Sequence, residues 1–231
     1  MVFLLGQFVT VGSVFPIYLF ILYITKSASK FSAADRRIPE AEAEAMLPSI
    51  ILGYLSSAVP SLLHPNIFYR QWWSWLWQLY PIWTALFLRP LTKIFRDPSS
   101  PTAAAPVATI RRTVFVLVAV GTVTYWYTLL ESGLSLTELY LPRYLLEAPA
   151  SPPEALRTVI RYDYVTTYLA TLMWLALELG DVKKGGASGF AVLAVAGVVA
   201  AVVLGPGSVM TLGWWWREEA LHEEQDGKKR E

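Results

Sequence analysis

Cysteine is absent from the 231 residues, so neither a disulfide framework nor a thiolate metal site is available. Histidine is almost absent: His64 and His222 are the only two, too far apart in the chain for a local zinc motif, and no metal is expected. There is no Asp-Asp-x-x-Asp cluster for magnesium diphosphate chemistry, no glycine-rich phosphate loop and no local motif for a Ser-His-Asp set. Those gaps argue against a prenyltransferase. No repeat at fixed spacing is visible, and the two halves are not inverted copies of each other, which weakens the case for a secondary transporter. The N-terminal run lacks a charged leader and a cleavage site, so it reads as a retained span rather than a signal peptide.

What is present is apolar and aromatic. Hydrophobic residues make up 55% of the chain and aromatic ones 14%, a composition that soluble domains of this size seldom reach. The expected fold is all-α, a polytopic transmembrane helical bundle of about six spans forming one domain over residues 1–231. Stretches of about 20 apolar residues suit a hydrocarbon core, and they fall near 3–25, 46–64, 72–90, 110–130, 158–179 and 188–211. The Trp-rich "GWWWRE" at 213–218 reads as an interfacial anchor.

Basic residues orient the chain. Eleven lie in the loops after spans one, three and five (Lys26, Lys30, Arg36, Arg37, Arg89, Lys93, Arg96, Arg111, Arg112, Lys183, Lys184), against four on the other side (Arg70, Arg143, Arg157, Arg161). The positive-inside rule then puts both termini in the lumen. Four more basic residues in the tail, Arg217, Lys228, Lys229 and Arg230, pull against that orientation. The stretch "DPSSPTAAAPVAT" at 97–109 reads as a flexible connection, and Glu40, Glu42 and Glu44 as a solvated helix start. Pro48, Pro60 and Pro81 would kink their helices and leave carbonyls for other groups to satisfy.

Within the segment "RYDYVTTYLATLMW" at 161–174 one carboxylate stands out, Asp163. Ser151, Pro152, Pro153 and Glu154 look like a capping box with proline in the first turn, so the helix should begin near residue 152. Asp163 then lies about 16 Å along that helix, too deep to be its cap. Thr166, Thr167, Ala170, Thr171, Trp174 and Glu178 follow on the same face. No Lys or Arg stands one turn away to pair with it. Its partner must come from another helix, or the group must hold its proton, because a charged carboxylate in hydrocarbon costs roughly 3 kcal/mol or more.

Other spans carry polar faces toward the same leaflet. Thr124, Tyr127, Thr128 and Glu131 close the fourth span; Gln71, Ser74 and Gln78 share a face of the third, among Trp72, Trp73, Trp75 and Trp77; Gln7 begins the first. His64, Arg70 and Arg143 sit in adjoining loops. Each has a plainer reading: tryptophans as belt residues, glutamines as interhelical glue, Glu131 as a solvated helix end. The catalytic candidates are Asp163 and Glu131; the candidate substrate contacts are Gln7, Gln71, Trp75, Trp77, Gln78, Tyr127, Arg143, Tyr162, Tyr164 and Thr167. Desolvation favours the neutral form of a carboxyl, which can then act as a general acid, and aromatic faces stabilise a developing cation. Epoxides and alkenes are substrates that such a site would suit.

The segments "FPIYLFILYIT" (15–25), "AMLPSIILGYLSSAVPSLL" (45–63), "QWWSWLWQLYP" (71–81) and "RYDYVTTYLATLMWLAL" (161–177) resemble the small fungal integral-membrane cyclases of secondary metabolism. These include terpene cyclases of the ascochlorin and ascofuranone type and epoxide hydrolases or cyclases of aurovertin- and citreoviridin-like polyene pathways. The resemblance implies cofactor-free, acid-initiated opening of an epoxide, with Asp163 as the acid and Glu131 as a weaker transfer. It also implies a lipophilic epoxide substrate, membrane lipid around the protein, a pathway monooxygenase as a further partner, no nucleic acid, and residence in the endoplasmic reticulum. The shortness of the chain favours the polyene-epoxide branch over the terpene cyclases. A sterol-isomerase-like enzyme, a small-molecule transporter and a non-catalytic scaffold are the rival readings.

Overall fold

The computed structural model describes residues 10–25, 38–99, 107–141, 151–182 and 186–228, and among them there is no β-strand. The helices are α1 (Val11–Thr25), α2 (Glu40–Ile50), α3 (Ser56–Leu63), α4 (Ile67–Gln78), α5 (Tyr80–Phe95), α6 (Val107–Ser132), α7 (Leu136–Tyr140), α8 (Pro152–Val182), α9 (Gly186–Leu204) and α10 (Pro206–Lys228). The chain divides into two compact units, Ala34–Thr113 on the one hand and Met1–Ala33 with Val114–Glu231 on the other.

In the unit Ala34–Thr113, α2 and α3 are joined through a π-helical turn, Ile51–Leu55, into one rod. Pro48, which has no amide to donate, lies just ahead of that turn. The widened turn carries Gly53 onto the backbone of Thr84, where a β-carbon would lie 2.5 Å from the Thr84 nitrogen. Glycine there lets α5 pack backbone to backbone on the rod. Glu40 and Glu42 occupy the first turn of α2, where the helix dipole favours them. Glu44 departs from the expected solvated start: it pairs with Arg112 at 3.7 Å and accepts from the Thr109 hydroxyl at 3.2 Å.

The stretch expected to form the third span is two helices. Asn66 caps α4 by accepting from the Phe68 amide at 2.9 Å. The helix then breaks at Leu79, because Pro81 cannot donate to the turn before it. The Leu76 carbonyl is taken by Trp83 Nε1 at 3.0 Å and by the Leu79 amide at 3.2 Å, the side-chain repair that a proline break requires away from water.

In the other unit, α8 is the axis. It begins at Pro152, with the Ser151 carbonyl accepting from the Ala155 amide at 2.9 Å, as the Ser-Pro-Pro-Glu pattern predicts. Contacts of Gly12 with Asp163 and of Tyr23 with Asp181 show that α1 runs parallel to α8. This is the direction that spans one and five of an alternating bundle must share. The helices α9 and α10 pack on α8 as well.

Two helical stretches, Glu40–Leu63 and Ala108–Ser132, are long and apolar enough to cross a membrane, and Val11–Thr25 and Ser188–Leu204 are shorter apolar helices. Their outer faces are greasy: Val192, Val195 and Val199 of α9 are 68%, 65% and 60% exposed, and Leu130 of α6 is 74% exposed. Continuous apolar faces of this kind suit lipid rather than water.

Candidate functional site

Asp163 finds its partner on α1. The Gly12 amide, in the first turn of that helix, donates to Asp163 Oδ1, so the carboxyl takes up one of the free donors of that turn. Gly12 has no side chain because there is no room for one: a β-carbon there would lie 2.6 Å from the Asp163 carbonyl oxygen. Asp163 is half-buried. An amide can only donate, so Oδ1 is fixed as an acceptor and any proton on the group belongs on Oδ2.

Below Asp163, the polar face of α8 is partly unsatisfied. Thr167, Thr171, Trp174 and Glu178 fall within about a quarter-turn of Asp163 at 100° per residue. Asp163 and Asp181 reach α1, while Glu178 reaches α10, leaving Thr167 and Trp174 on the strip between those contacts. Thr167 Oγ1 and Trp174 Nε1 are both shut off from solvent, and among the described residues neither makes a hydrogen bond. Buried polar atoms are rarely left so, since each costs on the order of 1–3 kcal/mol without a partner.

At its lower end the stripe closes on an ion pair. Glu178 is 1% exposed, and its Oε2 accepts from Arg217 of α10, 3.2 Å from Nε and 3.0 Å from Nη2. Arg217 also pairs with Glu218 through Nη1 and lies 5.4 Å from the Trp174 ring centroid. An apolar cleft of about 400 Å³ lies between α8, α9 and α10, lined by Leu172, Leu175, Gly197, Val209 and Trp216 among others. Leu172 is half a rotation away from Asp163 on α8, so this cleft faces away from the carboxyl.

Tyrosines form a column in the same unit. Tyr125 of α6 stacks on Tyr140 of α7 at 6.1 Å between centroids, Tyr140 on Tyr164 at 4.9 Å, and Tyr164 meets Tyr168 at 4.2 Å. Of these, only Tyr164 is among the candidate contacts that the sequence suggests. Tyr162 is half-buried on α8; Tyr127 and Glu131 are exposed near the end of α6. Among the described residues no hydrogen bond or ion pair joins Glu131 to Asp163.

The expected residues of the third span lie in the unit Ala34–Thr113. Gln71, Trp75 and Gln78 line one open cleft of about 530 Å³ with Ser61, Arg70 and Ser74. Trp77 is turned elsewhere, stacked on Tyr80 at 6.3 Å and tilted against Tyr54 at 6.2 Å. His64 serves its own turn, taking the Asn66 amide on Nδ1 at 3.1 Å. Gln7 and Arg143 lie outside the described residues.

A family match covers residues 1–222, almost the whole chain, and its description is CtvD domain. The chain belongs to the CtvD domain family. Three similar fungal proteins carry the name FAD-dependent monooxygenase. One, verC1 of Penicillium polonicum, is 30% identical over 94% of this chain; anuJ of Penicillium roqueforti is 27% identical over 91%. BOA8 of Botryotinia fuckeliana is 27% identical over 94%. The chain spans only 28%, 27% and 29% of the length of these relatives. No solved structure matches it. The family and its fungal relatives agree with the secondary-metabolism setting that the resemblance implies.

The relatives' name raises the question of a flavin site. Dinucleotide cofactors of this kind are commonly held at a glycine-rich turn between a strand and a helix, with the pyrophosphate on the helix N-terminus. The described residues contain helices and no strand, and the chain carries no such glycine fingerprint. These residues do not fit a flavin of that kind, and the flavin chemistry named for the relatives is not assigned to this segment.

Proposed function

We propose that the chain is a membrane-bound epoxide hydrolase or cyclase of fungal secondary metabolism, a polytopic domain of the endoplasmic reticulum acting on a lipophilic polyene-derived epoxide. Asp163 Oδ2 donates its proton to the epoxide oxygen as the ring C–O bond breaks. A substrate hydroxyl or a water attacks the released carbon, forming the new C–O bond. Glu131, or a water it orients, takes the proton lost by that nucleophile, and solvent exchange returns a proton to Asp163. The net change is isomerisation to a cyclic ether, or addition of one water. Tyr162, Tyr164 and the tyrosine column steady positive charge on the carbon. Tyr127 and Thr167 are the further expected substrate contacts in the unit that holds Asp163.

The observation that carries this reading is the face of α8. A carboxyl with one oxygen fixed by Gly12 heads a stripe on which Thr167 Oγ1 and Trp174 Nε1 are buried with no hydrogen-bond partner among the described residues. The relatives support it indirectly. Proteins named FAD-dependent monooxygenase carry a stretch similar to this chain over 28%, 27% and 29% of their length, which suits a reaction that adjoins an oxidation. Microsomes containing the full chain, given a synthetic hydroxy-polyene epoxide, are expected to yield a cyclic ether or a diol. Incorporation of label from H₂¹⁸O separates hydrolysis from cyclisation. Substrate flux without a new product would make it a transporter instead.

Asp163 has a second reading with its own observation. The bond to Gly12 makes it an anchor for α1, with no part in chemistry. Asp163→Asn separates the two, because the amide oxygen still accepts from Gly12 while the acidic proton is gone.

A further inference from the structure

The end of α9 has no free carbonyls where a water-exposed helix end would have them. Val202, Val203 and Leu204 are held in turn by side chains of α6: Tyr125 Oη donates to Val202 at 2.9 Å, Trp126 Nε1 to Val203 at 2.9 Å and Thr122 Oγ1 to Leu204 at 2.9 Å. Gly205 then turns the chain with a φ of +84°, and a β-carbon there would lie 2.8 Å from the Tyr125 ring. Just beyond, the Ser208 hydroxyl donates to the Val118 carbonyl at 3.1 Å. A turn whose orphan carbonyls are all met by a neighbouring helix is what backbone needs at a depth where water is missing.

The contacts along α8 give the direction of each arm. Going up from the connection at 183–185, α9 places Gly197 beside Leu172, so it runs antiparallel to α8. After Gly205 the chain comes back: Gly207 lies beside Tyr168, Gly213 beside Leu175, and Arg217 pairs with Glu178 at 3.0 Å. The numbers rise together, so α10 is parallel to α8. By level along α8 the turn falls near residue 166, about 12 Å inside the span expected from residue 158.

We propose that α9 and α10 form a re-entrant hairpin, turning within the membrane at Gly205 and returning the C-terminal tail to the side from which α9 enters. The sixth expected crossing, 188–211, is then not a crossing, and the termini lie on opposite sides. This resolves the charge pattern: Arg217, Lys228, Lys229 and Arg230 join the eleven basic residues of the loops after spans one, three and five, fifteen against four. The hairpin tip touches Tyr125 and Tyr168, so it also walls one side of the tyrosine column. The inference depends on membrane embedding and is independent of the chemistry assigned to Asp163.

The absence of cysteine makes the test clean. Single variants Lys184→Cys, Glu231→Cys and Ser135→Cys of the full chain, in sealed microsomes, are treated with a membrane-impermeant maleimide before and after permeabilisation. Lys184→Cys and Glu231→Cys are expected to label from the same side, at least tenfold more than Ser135→Cys, which labels only once the vesicles are opened. Labelling of Lys184→Cys and Glu231→Cys from opposite sides overturns the hairpin. Equal labelling of all three in sealed vesicles overturns it as well.

Discussion

Arg217 and Glu178, thirty-nine residues apart in the chain, form an ion pair with both side chains withdrawn from solvent and two guanidinium nitrogens on one carboxylate oxygen. The pair ties α10 to α8 and ends the polar stripe that begins at Asp163. Neither charge is stable there alone, and that mutual dependence shapes the first expectation.

Arg217→Leu leaves Glu178 buried without its cation, a loss of about 3–5 kcal/mol by the usual cost of breaking a buried pair. The detergent-solubilised protein should melt earlier. The double variant Arg217→Leu with Glu178→Leu removes both charges and should recover most of the loss. A double variant no better than the single one would mean that the pair is not the source of the effect.

Gly12→Ala tests the close approach of α1 to α8. The new methyl would meet the Asp163 backbone at 2.6 and 2.7 Å, and backbone does not yield as a flexible side chain does. Overpacking of this kind costs about 1–3 kcal/mol. The expected result is a lower melting midpoint together with lost turnover, since the amide that fixes Oδ1 moves with the helix.

Tyr125→Phe removes the donor to the Val202 carbonyl while keeping the ring stacked on Tyr140. A carbonyl orphaned away from water costs about 1–3 kcal/mol. Hydrogen exchange should rise at the end of α9 and stay unchanged in α4. Unchanged exchange at α9 would show that water, not Tyr125, satisfies that carbonyl.

The sequence made some elements plain and hid others for physical reasons. The start of α8 was readable because caps are local: the Ser-Pro-Pro-Glu pattern places it at residue 152, where it begins. The stripe from Asp163 to Glu178 was readable because helical periodicity fixes which residues share a face. The partners were not, since Gly12 lies 151 residues from Asp163 and a glycine announces nothing about what it touches. Arg217 reads in sequence as part of an interfacial anchor with its tryptophans, although a carboxylate such as Glu178 in an apolar helix requires a cation. The break at Gly205 was masked by the hydropathy around it; the Gly-Pro dipeptide at 205–206 was the available turn signal. Pro81 signalled the break at Leu79 in the same way.

The central claim is the proton on Asp163, and Asp163→Asn tests it most directly. The asparagine oxygen can still accept from Gly12, so the variant should fold and melt close to wild type. Turnover of the epoxide substrate should fall by about 10²–10⁴-fold, the usual contribution of a positioned general acid. A folded Asp163→Asn protein that opens the epoxide at the wild-type rate would contradict the account and leave Asp163 as the anchor of α1.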